Sequence, residues 1–293
     1  MTLIAITCGL YAAPYRFIDA LSALYQCTVY EDSALVKQTG QAHDLKTDLI
    51  LKSIQCRQIP FDNFTHDRKK CLAALKVQIS KNILSGPCLF SGILSHLIPA
   101  PVSGIYRIMS PTPMHVRRQR AISMGQLSNQ AATNAIARSD KSEQRFAAQL
   151  NLDSLWDPTG YDMVLEWSKI DAATHDMTQG EVNRTLEKIR PDIENSMKNA
   201  NKNVHAVDFN ISSRVNAALA GLGHNLIIES ESGHVLVTLD RKVMNLARAQ
   251  KEIMDLAHGV SGVKSVKTKI GPNFYKSGIV RNLGLTAPFK RKT

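Results

Sequence analysis

The residues best placed to do chemistry gather around one short turn. Leu3-Ile4-Ala5-Ile6-Thr7 is an apolar, β-prone run, and Cys8 to Pro14 is a turn. Phe17, Ala20, Leu21 and Leu24 then recur at the spacing of one helical face. A strand that turns straight into a helix leaves unpaired N–H groups at the helix start, which hold phosphate when glycines let the backbone wrap the anion. A loop that transfers phosphoryl groups has the form GxxxxGK(S/T), with a lysine for the outer phosphates and a hydroxyl for magnesium. Here the turn reads CGLYAAPYRF. Gly9 is its one glycine, Ala12, Ala13 and Pro14 stand where others are wanted, and no lysine precedes Lys37. Pro14 also lacks an N–H. The nearest cation is Arg16.

Further candidates for an anion or nucleotide lie downstream. Arg117, Arg118 and Arg120 fall within one helical run, and Arg145 lies on the next. A grip on phosphate and a solvated helix face both account for such a cluster. Asp32, closing a second strand at Val29-Tyr30-Glu31, is of the type that orients a ribose or base, and it also suits a plain strand end.

The elements that must position these groups follow from periodicity. Helices are expected over Asp44 to Gln55 and from an N-cap at Thr65 to about Ser85, the latter with a stripe of Leu72, Leu75, Ile79 and Ile83. Cys88-Leu89-Phe90 reads as a central parallel strand, and Gly104 to Met109 as another strand. Pro113 to Ala121, Ser128 to Ser139 and Asp140 to Leu150 read as helical, and Tyr161 to Leu165 as a returning strand. Strands alternating with helices predict an α/β fold, a parallel sheet with flanking helices, and its ligand edge at the strands' carboxyl ends. Thr178 to Lys202 is polar and contains Pro191, so 178–203 is expected to be a helical linker.

The run RIMSPTPMHVRRQRA from Arg107, SNQAATNAIARSDKSEQRFAAQLN from Ser128 and LDSLWDPTGYDMVLEWSKID from Leu152, with VYED at 29–32, resemble the cytidylate kinase-like family. The likeness covers about residues 1–190, and it implies a P-loop kinase fold over 1–177 with ATP, CMP and magnesium as ligands. The same likeness implies a glycine-rich loop, where this chain has Ala12-Ala13-Pro14. It also implies Gly-Arg-Gly after the central strand, where Phe90-Ser91-Gly92-Ile93 stands, and a lid arginine where Glu143 stands. Phosphoryl transfer relies almost wholly on cations and oriented N–H groups, so these departures predict a domain without kinase activity.

From Val204 to Ile270 the order is helix, strand, strand, helix, strand, a small α+β unit of αββαβ order. Ala218-Leu219, Gly233 with Val235 and Val237, and Gly259-Val260, Gly262-Val263 and Val266 resemble a BON domain. That resemblance implies attachment to a phospholipid surface or to a protein, and no catalysis.

Composition limits the remaining classes. The chain has 293 residues, 36 Lys and Arg against 25 Asp and Glu, and a net charge of +11. Eight of those cations, Lys264, Lys267, Lys269, Lys276, Arg281, Lys290, Arg291 and Lys292, fall in the last thirty residues with no acid among them. Basicity therefore belongs to the end of the chain. The tail 271–293 interleaves these cations with Phe274, Tyr275, Ile279 and Phe289, a pattern suited to an anionic surface, RNA or acidic lipid. No apolar run is long enough to span a membrane and no leader is evident, so a cytoplasmic location is expected. Five scattered cysteines, without CxxC spacing, fit reduced thiols and no metal site. The reading that results is a regulatory or scaffolding protein without catalysis. Its kinase-like part senses a nucleotide or serves as platform, and its BON-like part and tail dock to a protein, an anionic surface or a second copy. An atypical nucleoside monophosphate kinase and an RNA- or ribosome-associated protein are the alternatives.

Overall fold

Five apolar segments pair as one parallel sheet in the computed structural model of the chain. It describes residues 2–275 except 101, 103, 168, 172 and 199–201, and no side chain at 202–204. The strands are β1 (Leu3–Thr7), β2 (Thr28–Glu31), β3 (Cys88–Ser91), β4 (Ile105–Met109) and β5 (Met163–Val164), ordered β2-β3-β1-β4-β5. Ile4 stands beside Leu89 and Tyr106, and Ile6 beside Ser91 and Ile108. Every residue of β1 is buried, as expected for the centre of a parallel sheet covered on both faces. Because side chains alternate, Leu3 enters one core with Cys88 and Phe90, while Ile4, Ile6, Leu89 and Ile108 enter the other.

On one face lie α2 (Asp32–His43), α3 (Thr47–Ile54) and α5 (Asp67–Ser85), the last preceded by the single turn α4 (Asp62–Thr65). The stripe expected for α5 is found, with Leu75, Ile79 and Ile83 buried. No sequence signal marked α2, since its buried face is only Leu35, Val36, Thr39 and Gly40. On the other face lie α1 (Tyr15–Tyr25) and α8 (Gln179–Lys198). The stretch expected as a helical linker is helical over Gln179–Lys198, and that helix is packed on the sheet. Val182, Ile189 and Ile193 recur on one side and are buried against the core of β1 and β4, while Pro191 lies within the helix on its exposed side. At the carboxyl edge stand α6 (Met114–Ser123) and α7 (Asn129–Gln149), the latter one continuous helix capped by Ser128, whose hydroxyl accepts from Ala131 N–H at 3.3 Å.

Helix α9 (Lys202–Leu219) belongs to two cores. Ala206 and Phe209 are buried with Leu75 and Ile79, and Asn210 donates to Ser80 Oγ at 2.9 Å. Its far end, Ile211, Val215 and Leu219, packs on a second sheet. That sheet, β6 (Leu226–Glu231), β7 (His234–Leu239) and β8 (Ser265–Ile270), is covered by α9 and α10 (Leu246–His258), in the expected αββαβ order. Ser232 and Gly233, with φ of 51° and 84°, make the two-residue hairpin turn whose twist suits paired strands. Among the described residues no helix is long and apolar enough to cross a membrane. Lys264, Lys267 and Lys269 are exposed at β8. Lys276, Arg281, Lys290, Arg291 and Lys292 lie outside the described residues.

Candidate functional site

The turn between β1 and α1 is partly bonded to itself. Ala12 N–H bonds to Gly9 O at 3.1 Å, Tyr15 N–H to Ala13 O at 3.0 Å, and Pro14 has none to give. Gly9 is close-packed: a Cβ there would meet Arg117 Nη2 at 3.1 Å and Glu143 Oε1 at 3.3 Å. In the first turn of α1, Arg16 N–H is already bonded to Asp176 Oδ2 at 3.1 Å. Asp176 is 4% exposed, and its Oδ1 accepts from Met177 N–H at 2.7 Å and lies 3.0 Å from Arg120 Nη2. A helix start attracts an anion through its dipole and free N–H groups, and here the anion is a carboxylate of the same chain.

The arginines complete that arrangement. Arg120, 1% exposed, donates to Ala13 O at 2.6 Å and His175 O at 3.0 Å, and its guanidinium lies against the rings of Tyr15 and Trp167. Burial pulls its pKa down, and the Asp176 charge opposes that. Arg16 donates to Asp171 Oδ2 at 3.2 Å and to Met177 O at 3.1 Å. Arg117 grips Asp140 with two bonds, 2.7 and 3.2 Å, and donates to Leu10 O at 3.0 Å. Gly9, Arg16, Arg117 and Arg120 are therefore brought to one place, with each arginine held by the protein itself. Arg118 is half-buried and Arg145 exposed on α7, and neither lines the cleft described next. Asp171 and Asp176 were not among the sequence candidates. They lie 155 and 160 positions from Arg16, with no motif linking them to the turn.

Beside the turn a cleft of about 610 Å³ opens at the carboxyl ends of β1, β2 and β3, within the range of small-molecule sites. Cys8, Glu31, Asp32 and Ser91 line it from the sheet, Arg57 from beyond α3, and Arg138 and Glu143 from α7. Asp32 accepts from Ile93 and Leu94 N–H at 2.9 and 3.0 Å, capping the 3-10 turn that follows β3. Gly92 makes room for it: φ is 129°, and a Cβ would fall 2.3 Å from Asp32 Cγ. Burial pushes Asp32 up to about 7 against these two N–H bonds, with Glu143 and Glu31 adding to the rise. Burial and then Asp140 also raise Glu143, which accepts from Ser139 Oγ at 3.2 Å. Cys8 is pushed up to about 12 by burial and carries no reactive thiolate. Three carboxylates face two exposed arginines here, and no lysine lines the cleft. Among the described residues no group of three or more His, Cys, Asp or Glu could hold a metal. The turn does not suit magnesium with a nucleoside triphosphate: it has no lysine, Arg16 N–H is bonded to Asp176, and Arg16, Arg117 and Arg120 are each held within the protein, which leaves Arg57 and Arg138 as the exposed cations of the cleft.

The family model described as "Cytidylate kinase-like family" matches residues 15–169, beginning directly after the turn. The chain is similar to the crystal structure of an uncharacterized protein from Eubacterium ventriosum ATCC 27560, at 13% identity and a TM-score of 0.43. That likeness covers 66% of this chain and 98% of the other. No curated protein matches. The family match spans more than half of the chain, over β2 to β5 of the parallel sheet and the helices at its carboxyl edge, so the chain belongs to the cytidylate kinase-like family.

Proposed function

We propose that this protein is a member of its family without kinase activity, a regulatory or scaffolding protein whose kinase-like part serves as a platform. One observation carries the reading: the start of α1, where a phosphate would be held, is taken by Asp176, itself bound to the buried Arg120. To admit a triphosphate, a buried ion pair would have to separate, at a cost of several kcal/mol before any ligand contact forms. The carboxylates of Glu31, Asp32 and Glu143 add repulsion where the transferred group's charge would need stabilising.

In this reading residues 204–270 form a BON-like unit that docks to a protein partner or an anionic surface, together with the tail. The αββαβ order, the buried Val235, Val237 and Val266, and the exposed lysines of β8 support it. The test is direct. Purified protein is expected to transfer no phosphate from ATP to CMP with magnesium, and to show no thermal shift with either nucleotide. Measurable CMP phosphorylation, or a shift of several degrees with ATP abolished in Arg16→Ala, would establish an atypical kinase instead.

A further inference from the structure

Two phenylalanines at the single turn α4, Phe61 just before it and Phe64 within it, are explained neither by packing nor by backbone. Phe61 is 76% exposed and Phe64 is 83% exposed. Phe61 also has φ of 60°, a left-handed conformation that a bulky residue adopts only under strain and that glycine or asparagine would adopt freely. The turn is nonetheless tightly built. Phe61 O accepts from Phe64 N–H at 2.8 Å and Thr65 N–H at 3.0 Å, and Asp62 Oδ1 accepts from Arg68 N–H at 2.8 Å. A braced turn thus holds two aromatic rings out in water.

Cations flank this turn in the chain and lie beside Lys69. Arg57 and Lys70 are exposed, and Lys69 Nζ is fixed on the carbonyls of Gly223 and His224 at 2.8 and 2.9 Å. Burial and then the neighbouring Arg241 pull the Lys69 pKa down, and Asp62 opposes them. Of the nearby acids, Asp62 is paired with Arg68, and Asp67 sits in the first turn of α5. Exposed aromatic rings beside unmatched cations are the two signals that together hold a protein at an anionic bilayer. The rings enter the headgroup boundary, and the cations meet lipid phosphates. Among the described residues no helix can cross a membrane, so such contact is peripheral.

We infer that the Phe61–Phe64 turn, with Arg57, Lys69, Lys70 and Arg241 about it, is a docking surface for an anionic membrane. This is independent of the loss of kinase activity, and it uses none of the β8 or tail cations.

The experiment is flotation of the full chain with phosphatidylcholine vesicles, with and without a minority of phosphatidylglycerol. The protein is expected to float with the anionic vesicles and not with the neutral ones. Phe61→Ser/Phe64→Ser should weaken binding about tenfold or more with an unchanged melting curve, since both rings are exposed. Phe61→Gly/Phe64→Ser guards against misfolding, because glycine relieves the strained φ and the same loss is expected. Failure of the wild type to bind anionic vesicles, or undiminished binding by both variants, overturns the inference. If Lys264→Glu/Lys267→Glu/Lys269→Glu abolishes flotation while the phenylalanine variants do not, the contact belongs to β8. That outcome overturns this inference and leaves the proposed docking of the second unit intact.

Discussion

Replacing Asp176 with alanine tests the reasoning at its centre. Asp176 and Arg120 are 4% and 1% exposed, so the change leaves a guanidinium buried without its counter-charge and the Arg16 N–H without an acceptor. Removing one partner of a buried ion pair costs about 3–5 kcal/mol, and losing a helix-start acceptor about 1 kcal/mol, so a loss of about 4–6 kcal/mol is expected. Urea unfolding followed by far-UV circular dichroism reads this directly. Asp176→Ala/Arg120→Met should recover much of the loss, because no lone charge is then buried. The single variant should also regain stability in inorganic phosphate beyond what sodium chloride of equal ionic strength provides. At a hundred times the dissociation constant that gain is about 2.7 kcal/mol. A loss below about 1 kcal/mol in Asp176→Ala, or no recovery specific to phosphate, would refute the view that Asp176 fills a phosphate's place.

Two further expectations concern the cleft and the strand ends beside it. Gly92→Ala should destabilise by about 2–4 kcal/mol in the same assay, since it combines an unfavourable φ of 129° with a collision against the Asp32 carboxylate; a neutral outcome would mean the Asp32 cap is dispensable. The pH profile has two opposed components. Asp32, raised to about 7 by burial, binds its proton more tightly when folded, so its contribution is greatest at acid pH and is lost as pH rises from about 4 to about 7. His96 bonds with Thr7 Oγ1 and Tyr161 OH, and burial beside Arg107 lowers it to about 4. Its neutral form is favoured on folding, so stability is gained over about pH 4 to 6.5. Asp32→Asn should therefore tilt urea midpoints upward with pH, and His96→Gln downward. Profiles parallel to the wild type in both would contradict the assignment.

Much of the architecture was legible before folding is considered. Strands β1 and β3 are short apolar runs and β4 is one broken only by Arg107, the stripe of α5 has helical spacing, and the αββαβ order follows from alternation and the Ser-Gly turn at 232–233. Helix α2 was not legible, because Lys37, Gln38, Gly40 and Gln41 dilute its short buried face. Helix α8 was legible as helical but not as packed, because polar residues dominate it and Pro191 reads as a break. Only the core against which Val182, Ile189 and Ile193 pack makes their spacing meaningful. At the site, Gly9, Arg16, Arg117 and Arg120 could be named from residue type, but not what they hold.

Taken alone, the order of amino acids determined the parallel sheet, the poverty of the β1–α1 turn in glycine and lysine, and the concentration of charge toward the end of the chain. These are local properties, set by spacing and side-chain type within a few turns of chain. Tertiary structure alone decided which anion sits at the start of α1. The carboxylate of Asp176 arrives from 160 positions away, and only the folding of the intervening chain around the sheet brings it within 3.1 Å of Arg16 N–H. A buried guanidinium must find a counter-charge somewhere, but which one it finds is a matter of position in space that no local pattern encodes.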